Sequence, residues 1–212
     1  MIESRSIEYQ YENIPAFQLP DIKVNGGEEL LILGNSGTGK TTLLNILGGL
    51  LKPQKGEIWI DGTALYGLKG NDLDKFRGKN IGIVFQKPHI LQALTVSENI
   101  ALPHFFLGKN DPSRIDSYLK ELGIFHKKHD HVDTLSEGEA QRVSIARALA
   151  NQPKVILADE PTASLDDENA KTVISLLKQQ AKKLNAALII VTHDQRIKEV
   201  IANHITLKGG MI

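Results

Sequence analysis

The feature that most constrains this chain is an octapeptide near its N-terminus, Gly34-Asn35-Ser36-Gly37-Thr38-Gly39-Lys40-Thr41. It matches the phosphate-loop pattern G-x-x-x-x-G-K-[ST] at every fixed position. An apolar run at residues 30–33 precedes it and is typical of a buried strand, and a helix-like run at 42–47 follows it. Because strand, loop and helix come in the order in which this pattern holds phosphate, we expect a nucleotide site here.

The chemistry of the loop assigns separate tasks to its residues. Glycines let successive backbone N–H groups turn inward around an anion, and the positive end of the following helix attracts phosphate. Lys40 is expected to reach the terminal phosphates of ATP as a point charge, and the Thr41 hydroxyl to join the Mg²⁺ shell. The predicted nucleotide-binding residues of the loop are Gly34, Asn35, Ser36, Gly37, Thr38, Gly39, Lys40, Thr41 and Thr42.

Composition narrows the classes of function. With 25 Lys+Arg and 25 Asp+Glu in 212 residues, the chain has no basic excess that would favour nucleic acid as a partner. It contains no cysteine, so disulfides and thiol chemistry are excluded. No apolar stretch approaches the ~20 residues that a membrane helix needs. We therefore expect one compact unit that meets a membrane only through a partner.

Three further apolar runs, at 81–85, 155–158 and 187–192, are typical of buried strands and end in polar residues. These residues are Gln86, the pair Asp159 and Glu160, and His193. In open α/β sheets, ligands bind at the carboxyl ends of the strands. Asp159 is expected to help hold Mg²⁺, and Glu160 to polarise the attacking water. Gln86 is expected to touch Mg²⁺ or orient water, and His193 to hydrogen-bond a γ-phosphate, although a single histidine at such a place is more often structural.

Helical patterns fill the middle of the chain. From Thr95 to about Leu122 the spacing of apolar residues predicts a helical insertion between sheet strands. Ser113 is the expected N-cap of one helix, and Pro103 and Gly108 are expected to break the region into pieces.

Two more helix starts are indicated by capping residues. Ser136 with Glu139 forms a capping box, which predicts a helix that begins there. Asp166 or Asp167 can cap a crossover helix that ends at Asn185.

Some residues allow two interpretations. Tyr11 follows the alternating N-terminal strands, which are expected to form an antiparallel sheet edge, and it is either an adenine-stacking ring or plain packing. Phe105 and Phe106 are either core of the helical insertion or part of a docking surface. A local histidine cluster could in principle hold a metal, although a solvated polar loop is the better explanation: His126, His129 and His131.

Taken together, these motifs resemble those of an ATP-binding cassette (ABC) ATPase, and the resemblance covers nearly the whole chain. The matching positions, in order, are 34–41, Gln86, 135–139, Asp159-Glu160, 164–166 and His193. The resemblance implies a two-lobe nucleotide-binding domain that hydrolyses ATP with Mg²⁺ and forms a head-to-tail homodimer when ATP binds. Two ATP molecules would then lie between the phosphate loop of one subunit and the signature helix of the other.

The same resemblance implies roles for individual residues. Tyr11 corresponds to the adenine-stacking aromatic, Gln86 to the lid glutamine that senses the membrane partner, Glu160 to the catalytic base and His193 to the switch histidine. The residues of the signature and of the segment after the catalytic strand that would contact nucleotide are Ser136, Gly138, Glu139 and Asp166.

The implied fold is α/β, a phosphate-loop NTPase core with a mainly parallel sheet, an N-terminal antiparallel β subdomain and an inserted α-helical subdomain. Within a single ABC ATPase domain at 1–212, a catalytic lobe would take approximately 1–87 and 152–212, and a helical signature lobe approximately 88–151.

Residues 98–103 and 157–162 further resemble the branch that serves lipoprotein release, macrolide export and cell-division permeases. This implies a subunit that powers a separate integral-membrane permease. Such a subunit would be cytoplasmic and peripheral, held on the inner face of the membrane by its permease.

One residue departs from the family pattern. The signature is usually Leu-Ser-Gly-Gly-Gln or Leu-Ser-Gly-Gly-Glu, and here Glu137 replaces the first glycine. An acid at that place opens a rival interpretation, an ATP-binding mechanical or regulatory subunit with low turnover, although the intact Lys40, Glu160 and His193 argue against it. A second rival, a soluble cassette of DNA repair or translation, would need a long coiled-coil insertion or a second cassette, and the sequence has neither.

Overall fold

The computed structural model describes residues 1–12, 16–163 and 165–207, and two five-stranded sheets organise them. The strands are β1 (Ile2–Tyr9), β2 (Phe17–Gln18), β3 (Ile22–Val24), β4 (Glu29–Leu33), β5 (Lys55–Ile60), β6 (Thr63–Ala64), β7 (Ile81–Val84), β8 (Val155–Asp159), β9 (Ala187–Thr192) and β10 (His204–Thr206). The helices are α1 (Lys40–Leu47), α2 (Asn71–Asn80), α3 (Val96–Phe106), α4 (Pro112–Glu121), α5 (Glu137–Leu149) and α6 (Asp167–Leu184). Short 3-10 turns lie at Leu65–Gly67, Phe125–Lys127, Val132–Thr134 and Gln195–Glu199.

The first sheet is antiparallel and is built around β1, which pairs with β2, β3 and β5, while β5 also pairs with β6. Ile2 and Ser4 of β1 are buried because alternate side chains of a strand face the same side of the sheet. Ile7 is buried as well because the register shifts between Arg5 and Glu8, where Ser6 has a φ of 52°, and this shift changes the phase of the alternation. The expected N-terminal antiparallel arrangement is therefore confirmed. The strand ends at Tyr9, however, so Tyr11 lies beyond it.

The second sheet is entirely parallel, in the order β10-β4-β9-β8-β7. Alternate residues of its inner strands enter two separate cores. Leu30 and Ile32 pack with the residues of α1, whereas Leu31 and Leu33 pack with those of α5 and α6. Helices on both faces explain why these strands are continuous apolar runs. Because all five strands run in one direction, the residues that follow them meet at one edge.

Three helices, α3, α4 and α5, stand between β7 and β8 in the chain, as the helical patterns predict. Two details of the prediction are wrong. Asp111, not Ser113, is the N-cap of α4 and accepts a hydrogen bond from the Arg114 N–H at 3.1 Å, since Pro112 takes the first helical position, where a missing N–H costs nothing. Pro103 lies inside α3 without ending it.

Gly108 does separate α3 from α4, with a positive φ of 64°. None of the described helices is both long enough and apolar enough to cross a membrane. The boundaries of the two lobes, at about 87/88 and 151/152, stay a prediction.

Candidate functional site

The carboxyl edge of the parallel sheet carries a cleft of ≈ 530 Å³. It collects residues from five separate parts of the chain, each of which follows a strand. The lining residues are Tyr11, Asn35, Ser36, Gly37, Gly39, Lys40, Thr41, Thr42, Gln86, Glu160 and His193. The structure therefore brings together the phosphate loop and the three predicted catalytic residues, as the parallel arrangement requires.

The phosphate loop has the conformation that an anion needs. Gly37 and Gly39 have φ values of 80° and 91°, in the left-handed region that favours glycine. A side chain at Gly34 would place its Cβ 2.4 Å from Thr38 Oγ1. No side chain caps the N-terminus of α1, so its first N–H groups are free of a competing side-chain acceptor.

Lys40 is only 6% exposed, and backbone carbonyls of the phosphate loop bind its ammonium group. Nζ donates to Gly34 O at 2.8 Å and to Asn35 O at 3.0 Å, and it lies 3.5 Å from Glu160 Oε1. A buried cation that bonds mainly to carbonyl oxygens has charge left for an anion. The uncapped helix and this ammonium group together fit the terminal phosphates of a nucleotide.

Asp159 is the best candidate ligand for Mg²⁺. It is 7% exposed, and its Oδ1 has no hydrogen-bond partner among the described residues. Burial raises the pKa of this carboxyl above its usual value; a hydrogen bond with Thr41 opposes that shift, the charge of Glu160 adds to it, and the charge of Lys40 opposes it. A divalent cation would both satisfy the orphaned oxygen and relieve the buried charge.

The described residues contain no group of three or more His, Cys, Asp or Glu that could hold a metal ion, and this includes the His126, His129 and His131 cluster. That finding does not exclude the predicted magnesium site, because Mg²⁺ often takes one or two carboxylates together with substrate phosphates. The fitting set here is Asp159, the Thr41 hydroxyl and the Gln86 amide oxygen.

Glu160 is held by the end of β9. Its backbone N–H donates to Val191 O at 2.8 Å, and its φ of 45° is unusual for a residue with a side chain. Its carboxylate accepts hydrogen bonds from the Thr192 hydroxyl at 2.6 Å and from the His193 N–H at 3.1 Å. Burial alone would raise the pKa of Glu160, but the hydrogen bonds from Thr192 and His193 outweigh it and lower the pKa. The carboxylate is thus kept ionised, as a base must be.

His193 also contacts Glu160 through its ring, with Nδ1 2.9 Å from Oε1. An ionised carboxylate only accepts hydrogen bonds, so Nδ1 is the protonated ring nitrogen in this contact. Nε2 is then left for another partner in the cleft.

Tyr11 lies at the rim of the cleft. Its hydroxyl is 2.6 Å from Thr42 Oγ1, and its ring lies nearly parallel to that of Phe17 at a centroid distance of 6.5 Å. The side chain is exposed, so one ring can serve both packing and nucleotide contact.

Six predicted nucleotide-binding residues do not line this cleft. Two of them, Gly34 and Thr38, belong to the phosphate loop itself, and the other four lie elsewhere. Ser136 and Glu139 form the predicted capping box of α5, with the Ser136 N–H 2.9 Å from Glu139 Oε2 and Gly138 between them. Asp166 caps α6 by accepting the Asn169 N–H at 2.8 Å, and Ser164 lies outside the described residues. Their contact with nucleotide stays a prediction.

Sequence reasoning missed two residues, one that contacts a predicted site residue and one that contacts the segment after Gln86. The hydroxyl of Thr192 contacts Glu160, and its signal was its place at a strand end, one residue before His193. The guanidinium of Arg147 donates to His89 O, and so ties α5 to the segment after Gln86. The sequence feature that could have identified Arg147 is its place as the one cation among the mainly apolar residues 143–150.

The sequence model described as ABC transporter matches residues 18–163. A protein named lipoprotein-releasing system ATP-binding protein LolD from Bacteroides thetaiotaomicron is 38% identical over 100% of this chain and 99% of its own length. A protein of the same name from Psychrobacter arcticus is also 38% identical, over 90% of this chain and 86% of its own.

Solved structures agree with the sequence comparisons. The ATP-binding cassette MJ0796, in a dimeric post-hydrolysis state bound to ADP and Pi, superposes with a TM-score of 0.88 at 33% identity. The match covers 99% of this chain and 95% of that one. The protein cbiO1 from Clostridium perfringens, part of the complex cbiONQ, gives a TM-score of 0.87 at 32% identity over 100% and 86% of the two chains. The predicted fold class is confirmed.

Proposed function

Because this chain belongs to the ABC transporter family, as an ATP-binding and ATP-hydrolysing subunit, we propose that it powers a separate membrane permease of the lipoprotein-release type. The observation that carries the proposal is the end-to-end similarity to the LolD protein of Bacteroides thetaiotaomicron, which leaves almost none of either chain unmatched. The subunit would be held at the inner face of the membrane by its permease.

The cleft supplies what hydrolysis requires of the protein. The loop N–H groups and Lys40 would hold the terminal phosphates, and Thr41, Gln86 and Asp159 would hold Mg²⁺, which neutralises charge on those phosphates when bound. Glu160 is ionised and lies 3.5 Å from the Lys40 ammonium, so it would face a water beside the phosphate that Lys40 holds and would take its proton.

The second half of each site would come from another copy of the chain. Ser136 and Gly138 begin α5 outside the cleft of their own subunit, and the MJ0796 cassette was solved as a dimer with ADP and Pi. A head-to-tail pair would place the N-terminus of α5, with its unpaired N–H groups, against the partner's nucleotide. ATP binding would therefore drive pairing, and hydrolysis would reverse it.

The permease would dock in a groove between β7, α3 and α5. Phe85, Leu102, Phe106 and Arg147 line it. The interpretation of Phe105 and Phe106 as core is wrong, because they are 75% and 77% exposed. Two adjacent exposed phenylalanines form an apolar patch of the kind that marks an interaction surface.

Charge adds to the argument for this groove. Burial lowers the pKa of Arg147, and its guanidinium makes no ion pair with any residue that the structure describes. A docking segment with apolar side chains and a carboxylate would cover the phenylalanines and pair this cation.

Co-purification with the permease tests the proposal. When the chain is co-expressed with a permease of the lipoprotein-release type, Phe106→Asp should reduce recovery of the pair from membranes by about tenfold or more, since a charge would enter an apolar contact of the groove. Phe125→Asp is the matched control, because Phe125 is also an exposed aromatic of the helical region but does not line the groove. If both variants keep the permease, or if the parent protein never associates with it, the proposal is wrong.

A further inference from the structure

The shortest side-chain contact of Glu160 is not with a residue assigned to the site. Thr192 ends β9, is fully buried, and has its hydroxyl 2.6 Å from Glu160 Oε2. Nothing in the phosphate loop or the signature segment requires a hydroxyl at this place.

The direction of the hydroxyl proton is fixed by its surroundings. The Asp194 N–H donates to Thr192 Oγ1 at 3.0 Å, so the oxygen already accepts one hydrogen bond from the backbone. Glu160 Oε2 belongs to a carboxylate that can only accept. The single proton of the hydroxyl therefore points at Oε2, in a charge-assisted hydrogen bond.

The two carboxylate oxygens of Glu160 have different partners as a result. Both oxygens share the His193 N–H, at 3.1 Å from Oε1 and 3.2 Å from Oε2. Only Oε2 is bound to Thr192, whereas only Oε1 faces the His193 ring at 2.9 Å and the Lys40 ammonium at 3.5 Å. The Thr192 bond at 2.6 Å is the shortest of these contacts and therefore restricts rotation of the carboxylate most strongly. Oε1 is then the oxygen presented to the part of the cleft where Lys40 would hold a phosphate.

We infer that Thr192 is a positioning residue for hydrolysis, which holds the carboxylate of Glu160 so that Oε1 faces the attacking water. The inference rests on the proposed role of Glu160 as base. Removal of the hydroxyl has two opposed effects. The freed carboxylate becomes a somewhat stronger base, but it also loses its orientation, and misplacement of a reacting group by about 1 Å costs on the order of 100-fold. Loss of orientation is the larger effect.

The test compares Thr192→Val, which keeps shape and loses the donor, with Thr192→Ser, which keeps the donor. The value for kcat should fall about tenfold or more in the valine variant, with KM for ATP within about twofold of the parent. Serine should restore kcat to within about threefold. Thr206→Val, at an exposed threonine on the edge strand β10 of the same sheet, is the matched control.

A second readout does not depend on turnover. If Thr192→Val slows hydrolysis by misplacing the base, MgATP should make it accumulate as a dimer on a sizing column, whereas a merely destabilised protein would pair less than the parent. Thr192→Ala replaces the valine variant if that variant melts below the assay temperature. The smaller side chain leaves space for a water that can accept the hydrogen bond of the Asp194 N–H.

Glu160→Gln, measured in parallel, separates the two possible failures. Parent-like turnover in Glu160→Gln would remove the base role, and the inference with it. An inactive Glu160→Gln together with parent-like kcat in both Thr192→Val and Thr192→Ala would overturn only the inference. A loss that serine does not restore would also overturn it, because the hydroxyl would then not be the cause.

Discussion

At the scale of single residues, the site places two neighbouring carboxylates in opposite electrostatic environments. Asp159 has one oxygen without a partner, and burial raises its pKa. Glu160 is also buried, but donors from the end of β9 surround its carboxylate and lower its pKa. The two acids are thus prepared for different tasks, one for a cation and the other for a proton.

This difference predicts that Asp159 destabilises the protein when neither Mg²⁺ nor nucleotide is present. A carboxyl whose pKa is raised on folding binds its proton more tightly in the folded state than in the unfolded state. Its ionised form therefore lowers the free energy of unfolding. This loss is largest at pH values above the folded pKa and disappears as the pH falls through the folded pKa. Asp159→Asn should therefore raise the melting temperature in EDTA by a few degrees at pH 8 and by less at pH 4.5.

The same variant should lose the stabilisation that MgATP gives the parent protein, because a metal ligand is gone. Asp133→Asn, at an exposed aspartate, controls for the general effect of removing one negative charge. A melting temperature of Asp159→Asn that is unchanged or lower at pH 8 would contradict the electrostatic argument.

At the scale of elements, two helices begin with the same device. In α3 the Thr95 hydroxyl accepts the Glu98 N–H at 3.3 Å and the Thr95 N–H donates to the Glu98 carboxylate at 2.7 Å. In α5 the Ser136 hydroxyl accepts the Glu139 N–H at 3.3 Å, with the reciprocal bond at 2.9 Å. The two capping boxes have equal geometry, but only the second is proposed to meet a partner's nucleotide.

The pair of caps gives a matched prediction. Thr95→Ala and Ser136→Ala should each cost about 1 kcal/mol of unfolding free energy, since each removes one cap. Only Ser136→Ala should also weaken the dimer that MgATP induces in the Glu160→Gln protein. Thermal melting measures the stability of the two variants, and a sizing column measures how much of each is dimeric with MgATP in the Glu160→Gln background, at equal protein concentration. Equal loss of pairing in both would show that reduced stability, and not a lost contact, is responsible.

The sequence predicts some of these elements better than others. The buried strands that end at Leu33, Asp159 and Thr192 were predictable, because a strand covered on both faces is a continuous apolar run. Helix α2 was not, since none of its residues is buried and it therefore carries no apolar periodicity.

The site shows the same limit at finer scale. The residue types Lys40, Asp159 and Glu160 follow from their motifs, but the contact between Thr192 and Glu160 depends on the left-handed backbone of Glu160. A sequence pattern does not specify that conformation, because residues with side chains seldom adopt it. The cap at Asp111 was missed although Pro112 indicates it. Proline favours the first helical position, so the residue before it is the N-cap.

At the scale of the whole molecule, the proposed dimer depends on surfaces that one chain leaves uncovered. Ser136 and Gly138 lie at the start of α5, outside the cleft that holds Lys40 and Glu160. Each copy would therefore provide one phosphate loop and one signature helix, and under this proposal neither nucleotide site would be complete in a single chain.

Glu137 would affect the strength of this pairing only if its side chain faced the partner's phosphate. It is exposed in the first turn of α5 and borders a cavity that Gln86 also lines. If it faces the partner's phosphate at ~4 Å, repulsion is about 1 kcal/mol in water and about 4 kcal/mol at an effective dielectric near 20, enough to weaken pairing by tenfold or more. If it points outward, it favours the helix dipole at no cost to ATP.

We expect the outward direction, because Ser136 and Gly138 remain to contact the phosphate and an acid in the first turn stabilises the helix. In the Glu160→Gln background, Glu137→Gln removes the charge and keeps the bulk, whereas Glu137→Gly removes both. Both should change the dissociation constant of the MgATP-induced dimer by no more than about twofold at low and at high salt. Pairing that becomes tenfold tighter or more in both variants, with a smaller effect at high salt, would show instead that Glu137 repels the phosphate. Salt screens such a charge beyond about 10 Å at 0.1 M. Tighter pairing in the glycine variant alone, independent of salt, would show that the size of the Glu137 side chain obstructs the contact. In either case the signature helix of this chain would itself weaken ATP-driven pairing, and the chain would be a slow ATPase.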